Sequence, residues 1–360
     1  FFNETKVPLD HMLAERGHGF KIAMNALNVG RIKLGAACLD AQRRVISNAV
    51  QYANERVQFK TPIAQFGAIK EKIARMATSC YAAESANYRA AHDIELKINS
   101  LHSEGLNHHQ AELKGVEEFA IECSMIKVGT SEDIQNCADD GIQIFGGMGF
   151  SADTPMESAW RDARIGRIYE GTNEINRMLA VGMLVKKSMK GELDLMSAVM
   201  GVASELSSGG VEDKIDQDQT LSEELQKIKD LKKVFLMLAG TAFQKYGQEL
   251  DKHQQILMGL SDMMIEIYFA ESAILRTIKN FNKGLDIKYQ ADMTKLYVFE
   301  ATETVIKKSK ETIGNIAEGD AQVNLLKSVQ SLCLYAKLPN VIGLKNSIAD
   351  KVIKENKYCF

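Results

Sequence analysis

The stretch QIFGGMGFSADTPMESAWRDARIGRIYEGTNEINR, residues 143–177, holds turn, cap and carboxylate signals in close order. Its glycines at 146, 147 and 149 permit positive φ and let a ligand come close to the backbone, although a tight turn between two helices uses glycine in the same way. The spacing is not G-x-G-x-x-G, and the residues before it read as helix where a dinucleotide fingerprint follows a strand, so a nucleotide bound here would not be held in the Rossmann manner. Thr154-Pro155-Met156-Glu157 joins a capping threonine and a first-turn proline to a capping-box glutamate and predicts a helix starting at Pro155. Arg161, Arg164 and Arg167 then fall near one helix face, which reads as solvated or ion-paired and receives no catalytic role. In YEGTN, residues 169–173, Thr172 or Asn173 caps the apolar helix running through Ile175, Leu179 and Leu184. That leaves Glu170 in the turn before the helix, beside Gly171. A lone glutamate in such a turn most often caps or faces water, but a carboxylate pressed against an apolar ligand resists ionisation and can serve as a general base.

On both sides of this stretch the chain reads as mostly all-α. Apolar residues recur at helical spacing: Cys38, Ala41, Val45, Ala49 and Tyr52; then Ile63, Phe66, Ile69, Ile73, Met76 and Cys80; then Phe119, Cys123 and Ile126. Thr61-Pro62 reads as another helix start. The segment from Ser204 to Gln219, with Ser-Ser-Gly-Gly at 207–210, is poor in core-forming side chains and reads as a linker, and Thr220 to Glu223 reads as a capping box opening a second helical unit. Helical spacing resumes through Leu221, Leu225, Ile228, Leu231, Phe235 and Leu238, with later stripes at Leu257, Leu260, Met264 and Ile267 and at Val323, Leu326, Val329 and Leu332. One strand is expected, around Asn3 to Val7.

Composition narrows the function classes. The 360 residues are 45% hydrophobic and 25% charged with a net charge of -3, so a large core is within reach and a nucleic-acid surface is not expected. Six cysteines without a CxxC pair suit reduced thiols in a cytosol or a mitochondrial matrix and give no metal site. No apolar run approaches the ~20 residues of a spanning helix. Met196, Val199, Met200 and Val202 make only a weak apolar face, so peripheral membrane contact is the lesser expectation there and a flexible linker the greater. The chain begins Phe1-Phe2-Asn3, without methionine, and is expected to be a piece of a longer protein.

Residues 143–177 closely resemble the C-terminal signature of the acyl-CoA dehydrogenase family. Phe2 to Leu13 resembles the last strand of that family's middle β-domain, Asn28 to Arg31 its substrate-contacting N-x-x-R turn, and Glu55-Arg56-Val57-Gln58-Phe59 with Pro62-Ile63 its ER-x-x-F element, although Lys60 replaces the usual glycine. The resemblance covers residues 1 to about 190; the helices beyond are similar in placement to the extension of the very-long-chain branch. It divides the chain into 1–17, the end of the middle β-domain; 18–190, the C-terminal helical domain; 191–219, a linker; and 220–360, a helical extension.

The resemblance implies an enzyme that dehydrogenates long-chain fatty acyl-CoA between the α and β carbons in fatty acid β-oxidation, with Glu170 as catalytic base. It implies FAD contacts at Arg56, Gln58, Phe59, Gln143, Gly146, Gly147, Thr172 and Glu174, and substrate contacts at Asn28, Arg31 and Gly171. A homodimer, an electron-transfer flavoprotein as partner, and a bacterial cytoplasm or mitochondrial matrix follow by the same route. The family's N-terminal helical domain and most of its β-domain have no counterpart here, so this chain alone is expected to be catalytically incomplete. Two alternatives stand beside this reading: a non-catalytic helical assembly or binding protein that kept the fold, and an acyl-CoA oxidase.

Overall fold

The computed structural model describes residues 1–207 and 220–360. The first long stripe becomes α1, Gly19–Glu55, a 37-residue helix that buries Cys38, Val45, Ile46 and Ala49. A hairpin follows, β1 (Val57–Gln58) and β2 (Thr61–Pro62), with Val57 opposite Pro62. Then come α2 (Gly67–Ser103), α3 (His108–Glu118) and α4 (Ala120–Phe145). The short α5 (Gly147–Phe150) and α6 (Pro155–Gly166) lead to α7 (Asn173–Met189). The remaining helices are α8 (Leu195–Ser207), α9 (Ser222–Tyr246), α10 (Gln254–Asn282), α11 (Lys288–Ile316), α12 (Gly319–Cys333) and α13 (Val341–Glu355).

α1, α2 and α4 pack side by side, with α6 and α7 laid on α4; α10 then packs against α2, α7, α9 and α11. One hydrophobic cluster runs from Ile46 and Ile126 through Met76 and Tyr81 to Leu260, Phe269, Leu296 and Val352. Each such side chain, fully withdrawn from water, contributes roughly 1.5–3 kcal/mol. Helices 4 and 10 meet where Gly129 faces the ring of buried Phe269, and a Cβ at Gly129 would lie 2.4 Å from that ring. Polar groups cross the same core in pairs: Tyr81 Oη lies 2.9 Å from Thr277 Oγ1, which lies 2.9 Å from Thr294 Oγ1, and Arg276 donates to Glu84 at 2.8 Å. At the far end Asn54 of α1 donates to Ile353 O at 3.0 Å, tying α13 to the first helix.

Several local expectations are corrected. Residues 3–7 form no strand; they have no ladder partner among the described residues, and an isolated strand gains nothing from its backbone groups. Thr61-Pro62 does not start a helix, because both residues pair with β1; a 3-10 turn at Ile63–Gln65 intervenes before α2. Phe59 (φ 52°) and Lys60 (φ 64°) are both left-handed, as a two-residue hairpin turn requires, so Lys60 adopts the conformation that glycine would take more cheaply. Thr220 does not cap α9, which begins at Ser222 after left-handed Leu221 without a side-chain cap. The segment 191–219, expected as a linker, is helical over Leu195–Ser207, and Val199 of that helix packs onto Gly240 of α9; residues 208–219, with most of the Ser-Ser-Gly-Gly run, lie outside the described residues. Pro155 does open α6, but Thr154 Oγ1 donates to Met148 O and leaves the helix N–H groups uncapped. All six cysteines are free, and no described helix is long and apolar enough to cross a membrane.

Candidate active site

Glu170 occupies the left-handed region at φ 60° and Gly171 follows at φ 79°, so the chain reverses sharply between α6 and α7. A left-handed glutamate costs about 1–2 kcal/mol and persists only where neighbours fix it. Three side chains do so through the carbonyl groups of the turn. Asn176 Nδ2 donates to Glu170 O (3.3 Å), Gly171 O (2.7 Å) and Thr172 O (3.1 Å). Arg31 Nε donates to Glu170 O at 3.3 Å while its Nη1 donates to Asn28 Oδ1 at 3.0 Å. Lys127 Nζ donates to Gly171 O at 2.8 Å and to Asn173 Oδ1 at 2.7 Å. Thr172 caps α7 as the spacing predicts, its side chain accepting from Ile175 N at 3.3 Å.

The carboxylate of Glu170 lies across α1 at Gly30. A Cβ at that glycine would come within 2.6 Å of Oε2 and 2.9 Å of Oε1, so only glycine leaves room for it. Oε2 is buried and has no hydrogen-bond partner. A carboxylate oxygen withdrawn from water without a donor is free to accept a proton from a ligand, whereas a structural carboxylate normally has its lone pairs satisfied. Beside it, burial lowers the Arg31 guanidinium from its ordinary value, opposed by the charge of Glu170 among others. Buried Asn28 and Arg31 and the Glu170–Gly171 turn therefore form one patch, as the N-x-x-R and YEG motifs imply. Glu174 lies on the exposed first turn of α7, its carboxyl held below the usual range by its own N–H and by Thr172.

The other expected cofactor residues form a second patch. Arg56, Gln58 and Phe59 sit on the hairpin after α1, and Gln143, Gly146 and Gly147 at the end of α4; all six are exposed, Phe59 at 88%. Tyr52 stacks on Phe145 with ring centroids 4.1 Å apart, which brings these two helix ends together. Gly146 takes φ 61°, and nothing lies within 4 Å of a Cβ placed on it or on Gly147, leaving open backbone. At roughly 1.5 Å per residue, about 39 Å of α1 separates Gly30 from Arg56. Within one chain the two patches are not brought together.

Sequence reasoning missed Gly30, Lys127 and Asn176, and it offered Asn173 only as an alternative cap, a role that Thr172 takes. Gly30 lies inside the N-x-x-R turn, where no sequence signal sets it apart. Lys127 had a signal, as the lone charge in the apolar run Cys123 to Val128 of a core helix. Also missed was the support behind α7: Arg177 binds Glu132 of α4 at 2.8 and 2.7 Å and Asp262 of α10 at 2.6 Å, and Lys308 of α11 reaches Asp262 at 3.0 Å. Of the expected arginine stripe, Arg161 pairs with Glu157 (3.6 Å), Arg167 pairs with Glu132 (3.6 Å) and Arg164 is exposed, which fits the solvated or ion-paired face expected of all three.

Comparison with known proteins identifies the fold and the family. Residues 17–183 match the family model for the acyl-CoA dehydrogenase C-terminal domain, and residues 230–331 match a second model of the same description. The chain is 38% identical over 358 residues to a probable acyl-CoA dehydrogenase of Bacillus subtilis, covering 99% of this chain and 60% of that protein. It is 27% identical over 349 residues to the rat mitochondrial very long-chain specific acyl-CoA dehydrogenase, covering 92% of this chain and 50% of the relative. The crystal structure of an acyl-CoA dehydrogenase complexed with FAD from Bacillus anthracis superposes with a TM-score of 0.95 at 39% identity, over 98% of this chain and 60% of that one. The chain thus spans 50–60% of the length of these relatives. In sequence and in fold, it belongs to the acyl-CoA dehydrogenase family, as the C-terminal helical part.

Proposed function

We propose that these helices belong to an FAD-dependent acyl-CoA dehydrogenase in which Glu170 is the catalytic base. The observation that carries the reading is the Glu170 carboxylate, laid against Gly30 with Oε2 buried and unpartnered while its backbone is fixed by Arg31 and Asn176. The α-proton of an acyl thioester is weakly acidic, so its removal needs a positioned base, stabilisation of the developing oxyanion and an electron acceptor. Glu170 takes the α-proton, and its own backbone N–H is placed in the role of oxyanion donor. Asn28, Arg31 and Gly171 line the substrate side. When bound, FAD accepts the hydride that leaves the β-carbon as the α,β double bond forms.

An exposed cation at Arg56, an exposed ring at Phe59, the amide groups of Gln58 and Gln143 and the open backbone at Gly146 and Gly147 suit an anionic, aromatic dinucleotide, with Thr172 and Glu174 at its other end. The separation of about 39 Å along α1 is too long for one flavin to meet both patches of one chain. This supports a homodimer in which each flavin rests between the base patch of one chain and the hairpin patch of its partner. Long-chain acyl-CoA as substrate, fatty acid β-oxidation as setting, an electron-transfer flavoprotein as acceptor and a bacterial cytoplasm or mitochondrial matrix as location complete the proposal. So does the division into 1–17, 18–190, 191–219 and 220–360.

The test is anaerobic addition of palmitoyl-CoA to the full-length protein with FAD bound, followed in the visible flavin band. Wild type should bleach, and Glu170→Gln should retain flavin and ligand while bleaching at least ~10²-fold more slowly. A Glu170→Gln protein that bleaches at the wild-type rate removes the base assignment.

A further inference from the structure

Lys127 is a fully buried lysine on a core helix, and its ammonium is not paired with a carboxylate among the described residues. Buried lysines are rare, and one lacking an opposite charge is costly unless its hydrogen bonds are put to use. Its two bonds both go to the segment that carries Glu170: Gly171 O at 2.8 Å and Asn173 Oδ1 at 2.7 Å. Asn173 is in turn fixed by donating to Ser131 Oγ at 3.1 Å and Glu132 Oε1 at 3.0 Å. The ammonium therefore joins α4 to the left-handed turn. Asn176 alone is a weaker clamp, because one amide group serves three carbonyl oxygens and its longest bond is the one to Glu170 O.

We propose that Lys127 is a positioning residue for the catalytic base, its charged ammonium holding Gly171 O and Asn173 so that the turn keeps the Glu170 carboxylate aimed across Gly30. The proposal rests on the reading of Glu170 as base. It also has a signature in pH. Burial is the main cause that brings the ammonium down to about 8; Arg31 of α1 lowers it further, while Glu132 on its own helix, Cys38 of α1 and Glu174 of α7 oppose the shift. Lys127 is thus charged below about pH 8 and loses its charge-assisted bonds as pH rises through that value.

The test compares kcat, KM and their pH dependence for the full-length, FAD-loaded wild type, Lys127→Met, Lys127→Arg and Glu170→Gln, with palmitoyl-CoA as substrate. Wild-type kcat should fall above about pH 8. Lys127→Met, matching the shape without the charge, should keep FAD, lose kcat by ~10–100-fold with KM changed less than ~3-fold, and show no alkaline limb. Lys127→Arg stays charged at every working pH, so it should retain more kcat than Lys127→Met and likewise lack the limb. Lys127→Arg also carries the test if Lys127→Met fails to fold. Wild-type kcat and pH profile in either Lys127 variant, with Glu170→Gln inactive, overturns the positioning role alone. An active Glu170→Gln overturns the reading on which it rests.

Discussion

At the residue scale the site depends on an exclusion as much as on contacts. Gly30 has no side chain where the Glu170 carboxylate lies, and a methyl group there would stand 2.6 Å from Oε2. Gly30→Ala should therefore swing the base out of line and lower kcat by ~10²-fold, since a misplacement on the order of 1 Å costs that much. The same change replaces glycine by alanine inside α1, which favours helix by about 1 kcal/mol, so thermal stability should hold or rise while activity falls. A flavin-reduction assay beside a thermal melt checks both, and unchanged activity would mean that the carboxylate is not confined by α1. The place of Glu170 in the turn before α7 was legible because the YEGTN turn and its capping threonine are local, whereas its role as base came from the family resemblance alone. Gly30 and Lys127 were not legible, because each acts across a tertiary contact, and a glycine within a helix or a lysine on a core helix has no local pattern that says what it touches; Asn176 reaches back only to the turn before its own helix, yet an asparagine there does not announce which carbonyl groups it binds.

Among elements, the helices were legible because an apolar stripe of period 3.6 is imposed by the core that it faces. The exceptions were ends and short pieces. Thr61-Pro62 carries a helix-start signal yet pairs with Val57-Gln58, and the helix from Leu195 to Ser207 hid in a segment that looked like a linker because it offers only a narrow apolar face, which packs on α9 and α7. What joins the two halves was invisible in sequence: Arg177 of α7 between Glu132 and Asp262, with Lys308 behind. The side chains of Arg177 and Asp262 are 11% and 16% exposed, so this pair is less screened than a surface one. Asp262→Ala should cost about 2 kcal/mol in a urea titration, because two cations lose a shared acceptor. Arg177 keeps Glu132, so kcat should change less than ~3-fold. An unchanged urea midpoint would show that α10 and α11 do not support α7.

In the whole molecule, acidic groups gather where α4, α10 and α11 meet. Burial, with the charges of Asp262, Glu300 and Glu132, pushes the Glu266 carboxyl up to about 7 despite a hydrogen bond from Tyr297, and burial also raises Asp133 and Glu300. Unfolded, Glu266 ionises near 4.5, so between 4.5 and about 7 the native state holds a proton that the unfolded chain has released. This contribution is fully present at the acid end of that window and is lost as pH rises through about 7, at up to ~1.4 kcal/mol per pH unit for one proton. Glu266→Gln, which can still accept from Tyr297, should flatten the stability profile between pH 5 and 7 by about one proton's share; parallel profiles would contradict it. The family and its helical plan were legible in the sequence, whereas the meeting of base patch and hairpin patch was not, since one chain holds them about 39 Å apart along α1. Removal of the α-proton by Glu170 is tested by the rate of anaerobic flavin bleaching in the full-length protein with palmitoyl-CoA deuterated at the α-carbon. Wild type should bleach several-fold more slowly than with the protiated substrate, and Glu170→Gln should not bleach on that timescale; equal rates for the two substrates, together with a Glu170→Gln protein that still bleaches, would remove Glu170 from the role of base.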